Sequence, residues 1–168
     1  KIYERLRVRE METIATLTVA ADTNSVSLPS DFLDPIEWRP YGWSLPILFV
    51  TEGSLEAHRD DSGALFEGTP SRWSIVGETA YVDVSCSEAF SGKLMYYKRP
   101  AALSASNETN FLTIRYPSLV RTACLSAAYE HMKDMQNAAT YLQMLEGKIG
   151  EAMMTNDLYR RSQTPLYS

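Results

Sequence analysis

After a short helical opening, short alternating or β-branched runs broken by turns occupy most of the first hundred residues of this chain, and a three-to-four-residue apolar period follows them. Residues 1–11 read as the end of a helix, with Ile2, Leu6 and Arg9 on one side. Residues 13–19 alternate and are rich in β-branched side chains, so they read as a strand. A turn at Asp22-Thr23-Asn24 leads to a second strand at 26–28, which Pro29 ends because it cannot donate to a ladder. Residues 30–33 read as one helical turn capped by Ser30 or Asp31. Short strands follow at 36–40 and 46–50, then a short helix at 52–59 behind Thr51, then a polar break at 60–63. The clearest hairpin pairs 72–76 with 79–85 around Gly77-Glu78, with Ala80, Val82 and Val84 on one face. A last strand at 93–98 stops before Pro100.

Strand signals end at Asn107. That residue is expected to cap a short helix over 107–114, and Pro117 suits the first turn of a second helix running to about His131. Its stripe is Leu119, Ala123 and Ala127, narrow and made of small side chains. Asp134 is expected to cap a third helix to about Asn156. Met135, Ala138, Leu142, Leu145, Ile149 and Ala152 recur on it at alternating spacings of three and four. That is a coiled-coil-like seam, read first as the core of an intramolecular bundle and second as a contact between subunits. Gly147 and Gly150 each cost about 1 kcal/mol of helix propensity and mark a bend or a close approach. Residues 158–168 lack a period and contain Pro165, so they read as an extended tail. Strands followed by helices give an α+β class.

Composition narrows the function more than the fold. An apolar content of 45% is enough to bury a core, and no apolar run is long enough to span a bilayer. The formal charge of −5 argues against general nucleic-acid binding, though an acidic wall lets DNA slide past. Cys86 and Cys124 lie far apart, which favours free thiols and a reducing compartment. The chain opens on helical residues, so further N-terminal sequence is expected to precede Lys1.

Candidate chemistry is sparse. His58 beside Arg59-Asp60-Asp61 reads as a solvated helix end, and His131 as a complement to a helix C-terminus. The pairs Asp60/Asp61 and Glu52/Glu56 are ordinary for an acidic surface. No metal-ligand, phosphate-loop or nucleophile-elbow motif is present, so no catalytic residue, metal or cofactor is expected. Arginine and tyrosine favour interfaces, which marks Arg160 and Arg161, set between Tyr159 and Pro165, as part of a docking peptide.

The ordered set of short phrases resembles one family. It comprises the 5–12 helix end, the 13–19 strand, Leu-Pro-Ser-Asp-Phe-Leu at 28–33, the Gly77 hairpin, Leu94-Met-Tyr-Tyr-Lys98 with Pro100, Ala102-Leu-Ser104, Thr109-Asn-Phe-Leu112 and the 116–133 helix. Together they resemble the head-to-tail adaptors of tailed bacteriophages. The resemblance implies a small helical bundle with a β-rich insertion, divided here as 1–12, 13–103, 104–157 and a tail at 158–168. It implies a virion protein at the head–tail junction, made in the bacterial cytoplasm. Its partners would be a portal protein, a tail or nozzle protein, and further copies of itself in a ring, typically twelve. DNA would pass through the lumen without sequence-specific binding, and no membrane is involved. The tail would dock on the portal through Leu158, Tyr159, Arg160, Arg161, Pro165, Leu166 and Tyr167. The middle region, with Trp38, Trp43 and Trp73, departs in composition, which leaves its tail-side partner open. Rival readings are a particle-borne cell-wall hydrolase, a monomeric host binding module, and another connector such as a tail-side closure protein.

Overall fold

A computed structural model of the chain describes residues 2–56, 59 and 63–162. In chain order its elements are α1 (Ile2–Arg5), a 3-10 turn (Arg9–Met11), β1 (Glu12–Val19), β2 (Ser25–Ser27), β3 (Phe32–Pro40) and β4 (Leu48–Phe49). There follow α2 (Glu52–Glu56), β5 (Glu67–Gly68), β6 (Arg72–Val76), β7 (Thr79–Val82), β8 (Ser85–Cys86) and β9 (Phe90–Lys98). Last come α3 (Phe111–Arg115), α4 (Pro117–His131) and α5 (Met135–Ser162). The chain mixes helix and strand, as an α+β class requires. It divides into two compact units: a β unit, Glu12–Lys98, and a helical unit made of Lys1–Met11 with Arg99–Ser168.

In the β unit, β9 is the centre of a three-stranded antiparallel sheet ordered β1-β9-β3. β1 pairs with it without interruption, from Glu12 opposite Tyr97 to Val19 opposite Phe90. β3 pairs with two irregularities, between Phe32 and Asp34 and between Pro35 and Glu37. A second sheet runs β2-β7-β6-β4, and β5 and β8 form a parallel pair. Leu17, Val19, Trp38, Trp73, Val82 and Leu94 meet in one core. Trp38 and Trp73 meet edge-on at 5.2 Å, and Phe90 lies 5.7 Å from Trp38 and 5.8 Å from Trp43. The tryptophans that set this region apart in sequence are therefore packing residues of one aromatic cluster. The strand centre is tight: a Cβ on Gly92 would come within 2.8 Å of the Arg39 carbonyl oxygen and the Pro40 Cα.

Two buried polar contacts fix this unit. Asp83, almost fully buried, accepts from the Ser71 amide at 3.0 Å and the Ser71 hydroxyl at 2.7 Å. The Tyr96 hydroxyl donates to the Asp31 carboxylate at 2.8 Å. Burial, with the Asp31 bond and charge added, pushes the Tyr96 phenol up to about 12. Burial also pushes the Cys86 thiol up, with Asp83 adding to it, and Cys86 and Cys124 are both free.

Several local expectations are corrected. Residues 30–33 do not form a helical turn: Phe32 already pairs with Lys98 as β3 begins, and Asp31 is taken by Tyr96 rather than by a cap. Of the expected helix 52–59, Glu52–Glu56 is helical, residues 57 and 58 lie outside the described residues, and Arg59 forms a bridge to Leu65 instead. The strand expected at 79–85 breaks after Val82, because Asp83 turns inward to Ser71. At 30–33 and at Asp83 a contact distant in sequence overrides a local preference.

The helical unit corrects two more. The 1–11 helix stops after Arg5, where the Arg7 guanidinium donates to the Tyr3, Glu4 and Leu6 carbonyls. Leu6, Val8 and Met11 are fully buried there. The helix expected at 107–114 begins only at Phe111. Asn110, not Asn107, caps it, accepting from the Leu112 and Thr113 amides at 3.0 and 3.2 Å while its own amide donates to Thr113 Oγ1. Asn107 instead donates through Nδ2 to the Ala102 carbonyl at 2.8 Å, closing the preceding loop.

Candidate functional site: the helical hairpin and its exposed faces

Two long helices joined by a tight turn dominate the helical unit. α4 ends in a left-handed residue, Lys133, at φ +61°. The Lys133 amide donates to the Glu130 carbonyl and the Asp134 amide to the Tyr129 carbonyl, which is the Schellman pattern. Asp134 at once caps α5, accepting from the Asn137 amide at 3.2 Å and from Asn137 Nδ2 at 2.7 Å. These Asn137 bonds hold the Asp134 carboxyl below the ordinary carboxylate range.

The facing surfaces are thin. On α4, Leu119 and Thr122 are buried, Ala123 is half-buried and Ala127 is exposed. The packed face runs through Leu119, Thr122, Ser126 and Tyr129 rather than the sequence stripe. Thr122 hides its hydroxyl on the Ser118 carbonyl, a bond that lets a threonine serve as an apolar residue. Ser126 donates to the Ala138 carbonyl at 3.2 Å, and Tyr129 stacks on Tyr141 at 5.3 Å.

On α5 the six seam residues separate. Ala138, Leu145 and Ile149 are buried and Ala152 is half-buried, whereas Met135 is 63% and Leu142 47% exposed. The buried row continues instead through Asn156, whose Oδ1 accepts from the Arg9 amide at 3.2 Å. A salt bridge between Arg5 and Glu146 makes a second tie from the N-terminal segment to α5. The outward side of α5 carries Met144, Met154 and Leu158, the last two 70% and 67% exposed. Gly147 and Gly150 also lie on α5, and a Cβ on either would meet nothing. At 28 residues α5 is about 42 Å long.

α5 extends through Ser162, so the expectation of an extended tail from residue 158 is corrected. Leu158, Tyr159, Arg160 and Arg161 stand on its last turns, because leucine and arginine are good helix formers and no breaker separates them from Asn156. Pro165, Leu166 and Tyr167 lie outside the described residues, as do His58, Asp60 and Asp61. Glu52 opens α2, and His131 ends α4.

One cleft of about 780 Å³ indents this unit, lined among others by Arg9, Glu10, Arg115, Tyr116, Lys148 and Glu151. Glu10 pairs with Arg115 at 2.9 Å. Burial, helped by Glu10, pushes the Tyr116 phenol up. No sequence signal marks this cleft, since its charged residues come from three separate segments. Among the described residues, no group of three or more His, Cys, Asp or Glu is placed to hold a metal, and no helix is long and apolar enough to cross a membrane.

The site is thus a long hairpin with large apolar side chains facing outward, beside a cleft of mixed charge. No individual curated protein matches the chain. The SU10 adaptor protein family does match it, over residues 1–167, and the chain belongs to that family of phage head-to-tail adaptors.

Proposed function

We propose that this protein forms a ring of twelve copies, the typical adaptor arrangement, that joins the capsid portal to the tail and continues the DNA channel. The observation that carries this reading is the outward row on α5. A 28-residue helix that leaves Met144 and Met154 in water is incomplete alone. Heterologous contacts between neighbouring copies, closing into a ring, would bury that row. The C-terminal residues from Leu158 onward, with Arg160 and Arg161, then reach the portal, and many weak attachments on one ring hold through effective concentration. The cleft between Arg9, Arg115 and Glu151 takes charged side chains of a neighbour. The tail or nozzle protein meets the opposite side of the ring. The net charge of −5 suits a lumen that DNA traverses without sticking.

The test is the mass of the purified protein, alone and mixed with its portal, for the full chain, for a chain ending at residue 157, and for Met154→Asp. Because Met154 is exposed, its replacement is expected to change unfolding stability by no more than about 0.5 kcal/mol. A ring-sized complex for the full chain, lost in Met154→Asp without loss of folding, is the expected result. Loss of portal attachment in the shortened chain assigns the docking role to the C-terminal residues. A full chain that stays monomeric with the portal present overturns the reading.

A further inference from the structure

The β unit has four sheet edges in its two larger sheets, and three of them are blunted. β3 carries two irregularities and Pro35 and Pro40, which have no amide to donate. β2 has three residues and β4 two. β1 is different. It has eight residues, an unbroken register on β9, no proline, no glycine, no lysine and no bulge. Residues 13–19 pair with β9 on one side, and on the other they make no backbone hydrogen bond among the described residues. Ile14 is 56% exposed, and Thr16 and Thr18 beside it are exposed too. An unprotected edge of this kind is a liability unless something pairs with it.

We propose that the edge of β1 at residues 13–19 receives an extended strand from a different chain of the head–tail junction, by β-augmentation. The inference rests on the ring reading above, and the choice of occupant follows from symmetry. In a cyclic ring every copy points the same way, so two β1 strands cannot meet about a dyad. The other edges of a neighbouring copy are the blunted ones: β3, though nine residues long, is interrupted twice and carries two prolines, and β2 and β4 have only three and two residues. The occupant is therefore another protein. Its chemistry follows from the row it lies beside: Ile14, Thr16 and Thr18 ask for a β-branched or apolar, uncharged segment, free of proline where amides must donate. Main-chain bonds supply the affinity, and the side chains beside Ile14 set the register.

The test compares hydrogen exchange of residues 13–19 in the purified protein and in intact virions, with a photo-cross-linking benzoylphenylalanine placed at Thr18. In the free protein, the amides facing away from β9 exchange fast. Loss of that fast exchange in the particle, with a cross-link to an extended segment of another virion protein, is the expected result. Fast exchange that persists in the particle overturns the inference, and so does a cross-link to a second copy of this chain. Imaging of the same particles reads the ring separately. A ring whose β1 edge stays open overturns this inference alone, and a junction without a ring overturns the function reading and this inference with it.

Discussion

The β unit and the α4–α5 hairpin bury their side chains in opposite styles. The β unit closes Trp38 and Trp73 away from water and joins strands far apart in sequence, β1 and β3 both lying on β9. The hairpin joins neighbours in sequence across small side chains such as Ala138 and Ser126, and leaves Met135, Leu142, Met154 and Leu158 outside. The β unit also exposes apolar side chains, such as Leu45 and Leu48, but its tryptophan core holds its own shape. A region that turns its largest residues outward leaves free energy for association, which burial of apolar surface supplies at about 25 cal/mol per Å². Single changes should therefore cost stability in the β unit and assembly in the hairpin.

The largest stability effect is expected at Gly92. An added Cβ meets backbone atoms of Arg39 and Pro40, which cannot rotate away as a side chain would. Gly92→Ala should cost about 3 kcal/mol, at the upper end of overpacking. Urea unfolding measures it, and a cost under 1 kcal/mol would show that β3 yields at this point.

Tyr96→Phe tests the same unit more gently. It removes the hydroxyl bond to Asp31 and should cost about 2 kcal/mol at neutral pH. The pH dependence follows from the raised phenol. An unfolded tyrosine ionises near pH 10, and Tyr96 in the fold only at about 12. The stabilisation tied to its protonated form is complete below about pH 10 and is lost as pH rises through 12. Stability of the unaltered protein should fall over that window more steeply than that of Tyr96→Phe. Parallel slopes in alkaline urea titrations would remove Tyr96 from the account.

What the sequence made legible follows the same division. Strand 13–19, the Gly77 hairpin and the α4 start at Pro117 were readable because period, turn residues and caps are local signals. The aromatic cluster was not, since Trp38, Trp73 and Phe90 meet only after strands pair at long range. The turn expected at 30–33 failed for the same reason. In the hairpin, the seam spacing placed Ala138, Leu145 and Ile149 on α5, yet nothing in it separates these buried residues from exposed Met135 and Leu142. Burial of Thr122 and Asn156 was hidden because each polar group is satisfied inside, Thr122 by the Ser118 carbonyl and Asn156 by the Arg9 amide. The cleft was invisible because Glu10, Arg115 and Glu151 are more than thirty residues apart, on the order of many helical turns.

The smallest effect should have the opposite sign, and it lies in the hairpin turn. Lys133 holds the left-handed position that closes α4, at φ +61°, where a Cβ is strained and glycine is not. The bonds that define the turn come from the backbone amides of Lys133 and Asp134, so glycine would keep both. Lys133→Gly should therefore stabilise the protein by about 0.5–1 kcal/mol, since relief of strain outweighs the extra freedom glycine gives the unfolded chain. Thermal unfolding reads the gain. A loss of stability instead would mean that the Lys133 side chain holds the turn by a contact stronger than the strain it imposes. The exposed outer row of α5 is untouched by this change, so ring formation should be unaltered while the hairpin that presents the row becomes more stable.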